Sequence, residues 1–324
     1  MAFGVIIDSR INSTAKGPTM KLKTLIVCLA LSVVAGWAGA ATADGKHKLV
    51  IIAGKPSHPP RQHEFRAGTL LLAKCLKDVP NLVVDTHFNG WVSDEKTFDD
   101  TDAVVIYADG GPGNPAIQKN HLDTLSRLVT KGVGIAFMHY GVEIPATKGG
   151  EQFKQWIGGY YEDHFSCNPM WEPHFDNFPE HPITRGVHPF HDRDEWYIHM
   201  RWADGFSSDK ASVGADGTKF WPILVDKPSD AVRNGPYVFP KGPYPHIVAG
   251  SGQPEAMMWA VERPDGGRGF GFVGGHSHDN WKNDDQRKVV LNAMVWLAKV
   301  EVPANGVESK VTDEDLNQNL DKKR

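Results

Sequence analysis

Gly134-Ile135-Ala136-Phe137-Met138-His139-Tyr140-Gly141 is the stretch that decides the fold. Four residues suited to a buried strand, Gly134 to Phe137, run into a polar, glycine-rich segment that leads to a helix-like one. In an open α/β sheet, a residue at the carboxyl end of a strand points into the crevice where such folds bind ligands. A nucleophile elbow would carry Ser or Cys at that bend. This chain carries an imidazole, His139, so its chemistry must come from another source, with a metal ion the leading candidate.

Outward from this stretch the pattern repeats. Residues 48–54 form a short apolar run ending in Gly54, as in a buried parallel strand. Leu82–His87 and Ala103–Tyr107 read as two more strands. Between them, residues 64–77 place Phe65, Gly68, Leu71, Leu72, Cys75 and Leu76 on one side of a helix. Residues 120–131 space Leu122, Leu125, Leu128 and Val129 three and four apart. Strands alternating with helices predict a mostly parallel sheet with right-handed crossovers. Residues 142–246 lose the rhythm. Rich in Pro, His, Trp and Asp, with a short helix at Glu151–Ile157, they read as a long irregular insertion over the functional edge of the sheet. Regularity returns in residues 257–261 and 269–273, two strands joined by the turn Pro264-Asp265-Gly266-Gly267, and in an amphipathic helix over residues 284–300. A charged tail, residues 301–324, has a helix-capping signal at Thr312-Asp313-Glu314-Asp315.

The 324-residue chain has a formal charge of −4 and 40% hydrophobic residues, ordinary values for a globular protein, and no basic stripe suited to nucleic acid. Ten tryptophans leave two readings open, sugar-stacking surfaces and core filling, with core filling favoured per residue. Lys21 and Lys23, the apolar residues 24–34 and the small residues Ala38-Gly39-Ala40 read as a cleavable export signal starting at Met20. Residues 1–43 are therefore set apart from the 44–300 domain, and the mature protein is expected to be periplasmic or secreted, without a membrane span. Cys75 and Cys167 remain after cleavage. A disulfide between them is open on sequence alone, although the helical setting of Cys75 favours a buried free thiol.

Five blocks in order then make the chain resemble the ThuA-like (trehalose utilisation) family of the class I glutamine amidotransferase-like superfamily. They are Gly134 to His139; Gly158-Gly159-Tyr160-Tyr161 with His164; His181-Pro182-Ile183-Thr184-Arg185-Gly186; Asp194-Glu195-Trp196-Tyr197; and Gly274-Gly275-His276 followed by Trp281. The resemblance implies a flavodoxin-like three-layer α/β sandwich, a link to carbohydrate metabolism, sugars oxidised at C3 as substrates, a sugar oxidoreductase working alongside, and a divalent metal. Amidotransferases of that superfamily need Cys in a G-x-C-x-G elbow. His139 stands in its place here, which argues against glutamine hydrolysis through a thiolate.

Four residues make the expected metal set. His139 and His276 each follow a strand, and Gly274-Gly275 let the backbone turn and a ligand approach. Glu195 lies in the charged run Asp192-Arg193-Asp194-Glu195, which Trp196-Tyr197 would pack down onto the domain. His58 and His63 flank the loop after the first strand. His63 is preferred because it sits at a helix N-terminus, where a neutral imidazole is favoured. This nitrogen and oxygen set suits Zn²⁺ foremost and also Mn²⁺, Ni²⁺ or Fe²⁺, because no thiolate selects among them. His278, two residues beyond His276, could add to it. The expected chemistry is proton abstraction next to a keto carbon, giving an enediolate that isomerises or expels the glycosidic oxygen. His139 is placed in this catalytic centre, and His164, Glu195 and Asp279 are the candidate bases. Tyr140, Tyr161, Trp171, His174 and Asp109 are the candidate sugar contacts. A non-catalytic sugar-binding module and a metal-dependent hydrolase remain as alternatives.

Overall fold

The structure, a computed structural model, describes residues 45–323; the expected export signal lies outside them. Eight strands form the central sheet: β1 His47–Ala53, β2 Leu82–His87, β3 Ala103–Tyr107, β4 Gly134–Met138, β5 Ser212–Val213, β6 Lys219–Asp226, β7 Glu255–Glu262 and β8 Arg268–Phe272. Their order is β5-β6-β7-β8-β4-β3-β1-β2. Neighbours from β2 to β8 pair in parallel, and β7, β6 and β5 add antiparallel strands at one side. The parallel part has the flavodoxin-like order 2-1-3-4-5, with β8 in the fifth place.

Residue types explain the layering. Every residue of β3 and β4 is buried, as expected of parallel strands covered on both faces. The β1–β2 and β3–β4 units step in opposite directions across the sheet. Right-handed crossovers therefore put α1 (Phe65–Leu76) and α2 (His121–Thr130) on opposite faces. The α3 helix (Glu151–Ile157) brings Phe153 onto Phe137, their ring centroids 4.1 Å apart. The last long helix, α4 (Asp284–Leu297), packs on β3, β4 and β8 and touches α1. A Cβ at Gly68 of α1 would lie 2.9 Å from the Tyr107 ring, so glycine there sets how closely the helix approaches the sheet.

The expectation of an irregular insertion through residue 246 needs correction at its end, because residues 219–226 form β6. The run Phe220-Trp221-Pro222-Ile223-Leu224 is apolar enough for a strand, but Pro222 cannot donate to a ladder and argues against one. The β6–β7 register slips between Pro222 and Leu224, so the missing donor falls at an irregularity of the ladder. The rest of the insertion is tied by two-residue pairings: Gly159–Tyr160 with Arg201–Trp202, Met170–Trp171 with Asp194–Glu195, and His174–Phe175 with Phe190–His191.

Most tryptophans fill the core. Trp156, Trp171, Trp196, Trp259, Trp281 and Trp296 are buried, and no described tryptophan is among the exposed large apolar residues. Cys75 and Cys167 are free thiols. In the tail, Thr312 and Asp315 form a capping box on the short helix Asp313–Asn317, and Leu316 is buried. Among the described residues, no helix is long and apolar enough to cross a membrane.

The strand ends position the site. Ala53 pairs with Tyr107, Tyr107 with Met138, and Met138 with Phe272, so β1, β3, β4 and β8 end in one row. Whatever follows these residues emerges at a single carboxyl edge.

Candidate metal centre

Four buried side chains meet at that edge. His63 comes from the loop after β1, His139 directly follows β4, His276 follows β8, and Glu195 arrives from the insertion. One ligand atom from each lies within 4.8 Å of every other.

Hydrogen bonds at the far ends of two rings decide what faces the middle. Nδ1 of His139 lies 2.9 Å from the Val273 carbonyl oxygen, which only an N–H can satisfy. Nδ1 of His63 lies 2.8 Å from Oδ1 of Asp109, where an ionised carboxylate likewise calls for an N–H. Each ring then has a bare lone pair on Nε2, and these two atoms face one another at 3.0 Å. Nδ1 of His276 is 3.0 Å from the same His63 nitrogen and 2.8 Å from Oε2 of Glu195. Oε2 of Glu195 also stands 3.6 Å from Nε2 of His139.

The ionisation states suit ligation. Burial first, then the neighbouring imidazoles, hold His139 and His63 well below the ordinary histidine range, so both are neutral at pH 7. Burial also opposes a charge on His276, but the Glu195 carboxylate outweighs it and lifts this histidine above its usual value. Burial raises Glu195, with the His276 contact pulling the other way. His276 and Glu195 therefore form the pair in this cluster that holds on to a proton. A metal ion would displace it.

This donor set fits a divalent cation. Three imidazole nitrogens and one carboxylate oxygen converge without a thiolate, as the sequence led us to expect. Zinc–nitrogen bonds of about 2.0–2.1 Å would set ligand nitrogens roughly 3.3 Å apart, close to the spacing found. Outer partners are present too: Asp109 and the Val273 carbonyl fix two tautomers, and Asn168 donates to Oε1 of Glu195 at 2.7 Å. His63 (φ 48°) and His139 (φ 51°) occupy the left-handed region, as does His58 (φ 60°). Such conformations cost about 1–3 kcal/mol each and persist where surrounding structure enforces them. For His139, the strain sits at the strand-to-turn bend where an elbow nucleophile would stand.

The insertion reaches the site through Asp194 and Trp196. Asp194 is fully buried and accepts from the backbone N–H groups of Gly275 (2.8 Å), Ser277 (3.0 Å) and Glu195 (3.0 Å). Trp196 packs where a Cβ at Gly274 would lie 2.6 Å from its ring, and it meets Phe272 edge to face. With Trp196 turned to the core, Glu195 and Tyr197 share the opposite side of this extended segment. The Tyr197 hydroxyl is 3.5 Å from Nε2 of His139.

The other expected site residues divide. Tyr140 stands by the cluster, its ring centroid 6.0 Å from that of His63, and Tyr161 packs 5.0 Å from Tyr197. His58 stacks on His63 at 3.5 Å. Five residues turn elsewhere. The Trp171 indole is buried and donates to the Trp196 carbonyl at 3.0 Å, so it is core. His174 is exposed and stacks on His191 in a separate hairpin. Asp279 pairs with Arg61, whose guanidinium also holds Asn317 and the Leu316 carbonyl of the tail. His164 points largely into solvent beside Asp163, at 3.5 Å. His278 is buried among Arg61, Glu64 and Asp279 rather than in the cluster.

Three residues escaped the sequence reading: Asn168, Tyr197 and Glu143. Tyr197 was discernible as the residue two beyond Glu195 on a strand. Glu143, four residues after His139, was discernible only as the next acidic group on that loop.

An α/β sheet of this order with a His₃Glu cluster at its carboxyl edge defines the class; the sequence comparison gives the family. The family model for ThuA, trehalose utilisation, matches residues 50–297, and the chain belongs to that family. Among solved structures, it is similar to a putative ThuA-like protein from Bacteroides uniformis ATCC 8492. The identity is 16% and the TM-score 0.51, over 82% of this chain and 94% of that one. A putative ThuA-like protein from Parabacteroides merdae ATCC 43184 gives 16% identity and TM-score 0.51, over 83% and 94% of the two chains. At such identity these likenesses speak for the fold alone. A search of curated proteins finds no match.

Proposed function

We propose that this chain is an exported, metal-dependent enzyme acting on keto-sugars, of the 3-keto-glycoside kind, by isomerisation or glycosidic cleavage. The observation that carries the metal reading is the pair of Nε2 lone pairs of His63 and His139, facing at 3.0 Å with a carboxylate beside them. Two lone pairs and a carboxylate turned to one point are what a divalent cation needs from its ligands. His63, His139, His276 and Glu195 would hold the ion, Zn²⁺ foremost, with Mn²⁺, Ni²⁺ and Fe²⁺ as alternatives. When bound, it supplies Lewis acidity towards a substrate carbonyl oxygen, the feature that makes an adjacent C–H acidic enough to lose a proton.

The chain's own groups do the rest. Tyr140 and Asp109 border the centre and offer a hydroxyl and a carboxylate to sugar hydroxyls. The Tyr197 hydroxyl, which its buried setting keeps protonated, can donate to an oxygen next to His139. The sugar link itself is supported by family membership. A sugar oxidoreductase would supply the keto-sugar. The reading of a non-catalytic sugar-binding module loses support, because the tryptophans that would form stacking platforms are mainly in the core.

Purified protein incubated with 3-keto-glycosides, with and without a chelator, tests the proposal. Turnover that the chelator abolishes and added Zn²⁺ or Mn²⁺ restores is the expected result. Equal product in both samples removes the metal from the reaction.

A further inference from the structure

The neighbourhood of Glu143 lies outside the metal set. Its backbone is held from three sides. Gly111 N–H donates to the Glu143 carbonyl at 3.0 Å, Asn114 donates to the same oxygen at 2.8 Å, and the Glu143 N–H reaches the Tyr140 carbonyl at 2.9 Å. Residues 142–144 also bond to Tyr161, whose N–H donates to the Val142 carbonyl. The side chain lies over the glycines that follow β3. A Cβ at Gly111 (φ 59°) would come 2.9 Å from Oε1 of Glu143 and 3.5 Å from the Tyr140 hydroxyl, which places carboxyl and phenol side by side. A Cβ at Gly110 would lie 2.0 Å from the Tyr140 carbonyl. These two glycines are therefore required for the carboxyl to sit where it does.

Among the described residues, no group hydrogen-bonds this carboxyl and no cation pairs with it. The charged groups it feels are Asp163 and Glu195, both acidic, and the phenols around it are Tyr140, Tyr161 and Tyr197. A half-buried carboxyl with only acids and phenols for company is costly as an anion and contributes nothing to holding the fold. His164 and Asp279, the bases expected from sequence, are turned to solvent and to Arg61, and Glu195 is committed to the cluster.

We propose that Glu143 is the catalytic residue that carries the proton in this site. The inference rests on the keto-sugar reading above. The Glu143 carboxylate takes the proton from the carbon next to the keto group. The C–H electron pair becomes the C=C bond, and the carbonyl π pair moves to oxygen, giving the enediolate. In isomerisation, Glu143 returns the proton to the former keto carbon while the hydroxyl proton passes from one oxygen to the other. In cleavage, the C=C pair expels the glycosidic oxygen, which leaves with its bonding pair and takes the proton from Glu143; the other product is an unsaturated ketone. Burial first, then Asp163 and Glu195, push the Glu143 carboxyl up to about 8. The group thus accepts a proton from a weak carbon acid better than an ordinary carboxylate does.

The test compares wild type, Glu143→Gln and Glu143→Asp as full chains. In wild type, kcat/KM should rise with pH as Glu143 gives up its proton, along a limb above the usual carboxylate range, and deuterium from D₂O should enter the carbon next to the keto group. Glu143→Gln should lower kcat by about 10²–10⁴-fold, the usual scale for a lost general base. It should abolish the pH limb and the deuterium exchange, yet bind Zn²⁺ as wild type does. Glu143→Asp should recover part of the rate. Carboxyl-¹³C NMR of the metal-free protein without substrate should show a glutamate titrating near 8 that Glu143→Gln removes. Activity of Glu143→Gln within threefold of wild type, survival of the limb, loss of Zn²⁺ binding in Glu143→Gln, or no glutamate titrating near 8 overturns the role. A wild type inert on every 3-keto-glycoside overturns the function reading and the proton-transfer role with it, whatever the variants do.

Discussion

His139→Asn should weaken Zn²⁺ binding by roughly 10²–10³-fold while leaving the metal-free fold intact. A structural four-ligand zinc site is worth about 10–16 kcal/mol, so one ligand carries about a quarter of that, and each 1.4 kcal/mol is tenfold in affinity. Asn is the substitution of choice because His139 has φ 51°, a conformation Asn tolerates better than Ala. The variant also removes one of two lone pairs that face each other at 3.0 Å. The metal-free Tm should therefore stay level or rise, while the increase on adding Zn²⁺ is lost. Calorimetric titration and thermal melts with and without Zn²⁺ read both. A structural histidine would behave oppositely, with a large fall in metal-free Tm and no change in metal response.

Asp194→Ala should be the most damaging single change near the site, lowering stability by about 3–5 kcal/mol. Its carboxylate serves the N–H groups of Gly275, Ser277 and Glu195 in a fully buried position. Each orphaned buried donor costs about 1–3 kcal/mol. At roughly 2 °C per kcal/mol for a domain of this size, the Tm should fall by about 6–10 °C. Zn²⁺ affinity should fall as well, because the loop of His276 and the strand of Glu195 are stitched together through this one side chain. Asp194→Asn keeps one acceptor oxygen and should lose about half as much. A Tm within 2 °C of wild type for Asp194→Ala would show that the loop is held by packing of Trp196 on Gly274 and Phe272 instead.

The parallel half of the sheet was legible because β1, β3, β4 and β8 are short local runs of mostly buried residues, and the edge strand β2 is a β-branched run, Leu82-Val83-Val84. β6 was not, because Pro222 speaks against a strand and only the slipped register with β7 excuses it. At the site, His139 and His276 were legible as groups just past strand ends, and His63 as the residue before a helix. Glu195 depended on Trp196 pulling its segment inward, which the aromatic pair hinted at. Local aromatic and histidine clustering gave no direction, so Trp171 went to the core and His174 to a distant hairpin. Asp279 is occupied by Arg61 and the tail, partners far away in sequence. The setting of Glu143 arises from Gly110, Gly111, Tyr161 and Asp163, four positions whose convergence no local pattern announces.

The central claim is that one divalent cation belongs among His63, His139, His276 and Glu195. The most direct measurement is elemental analysis of protein purified without chelator, paired with X-ray absorption at the edge of the metal found. The expected result is about one ion per chain in a nitrogen and oxygen shell with three imidazoles and no sulfur. A protein that retains no metal and takes up none of Zn²⁺, Mn²⁺, Ni²⁺ or Fe²⁺ in titration would contradict it.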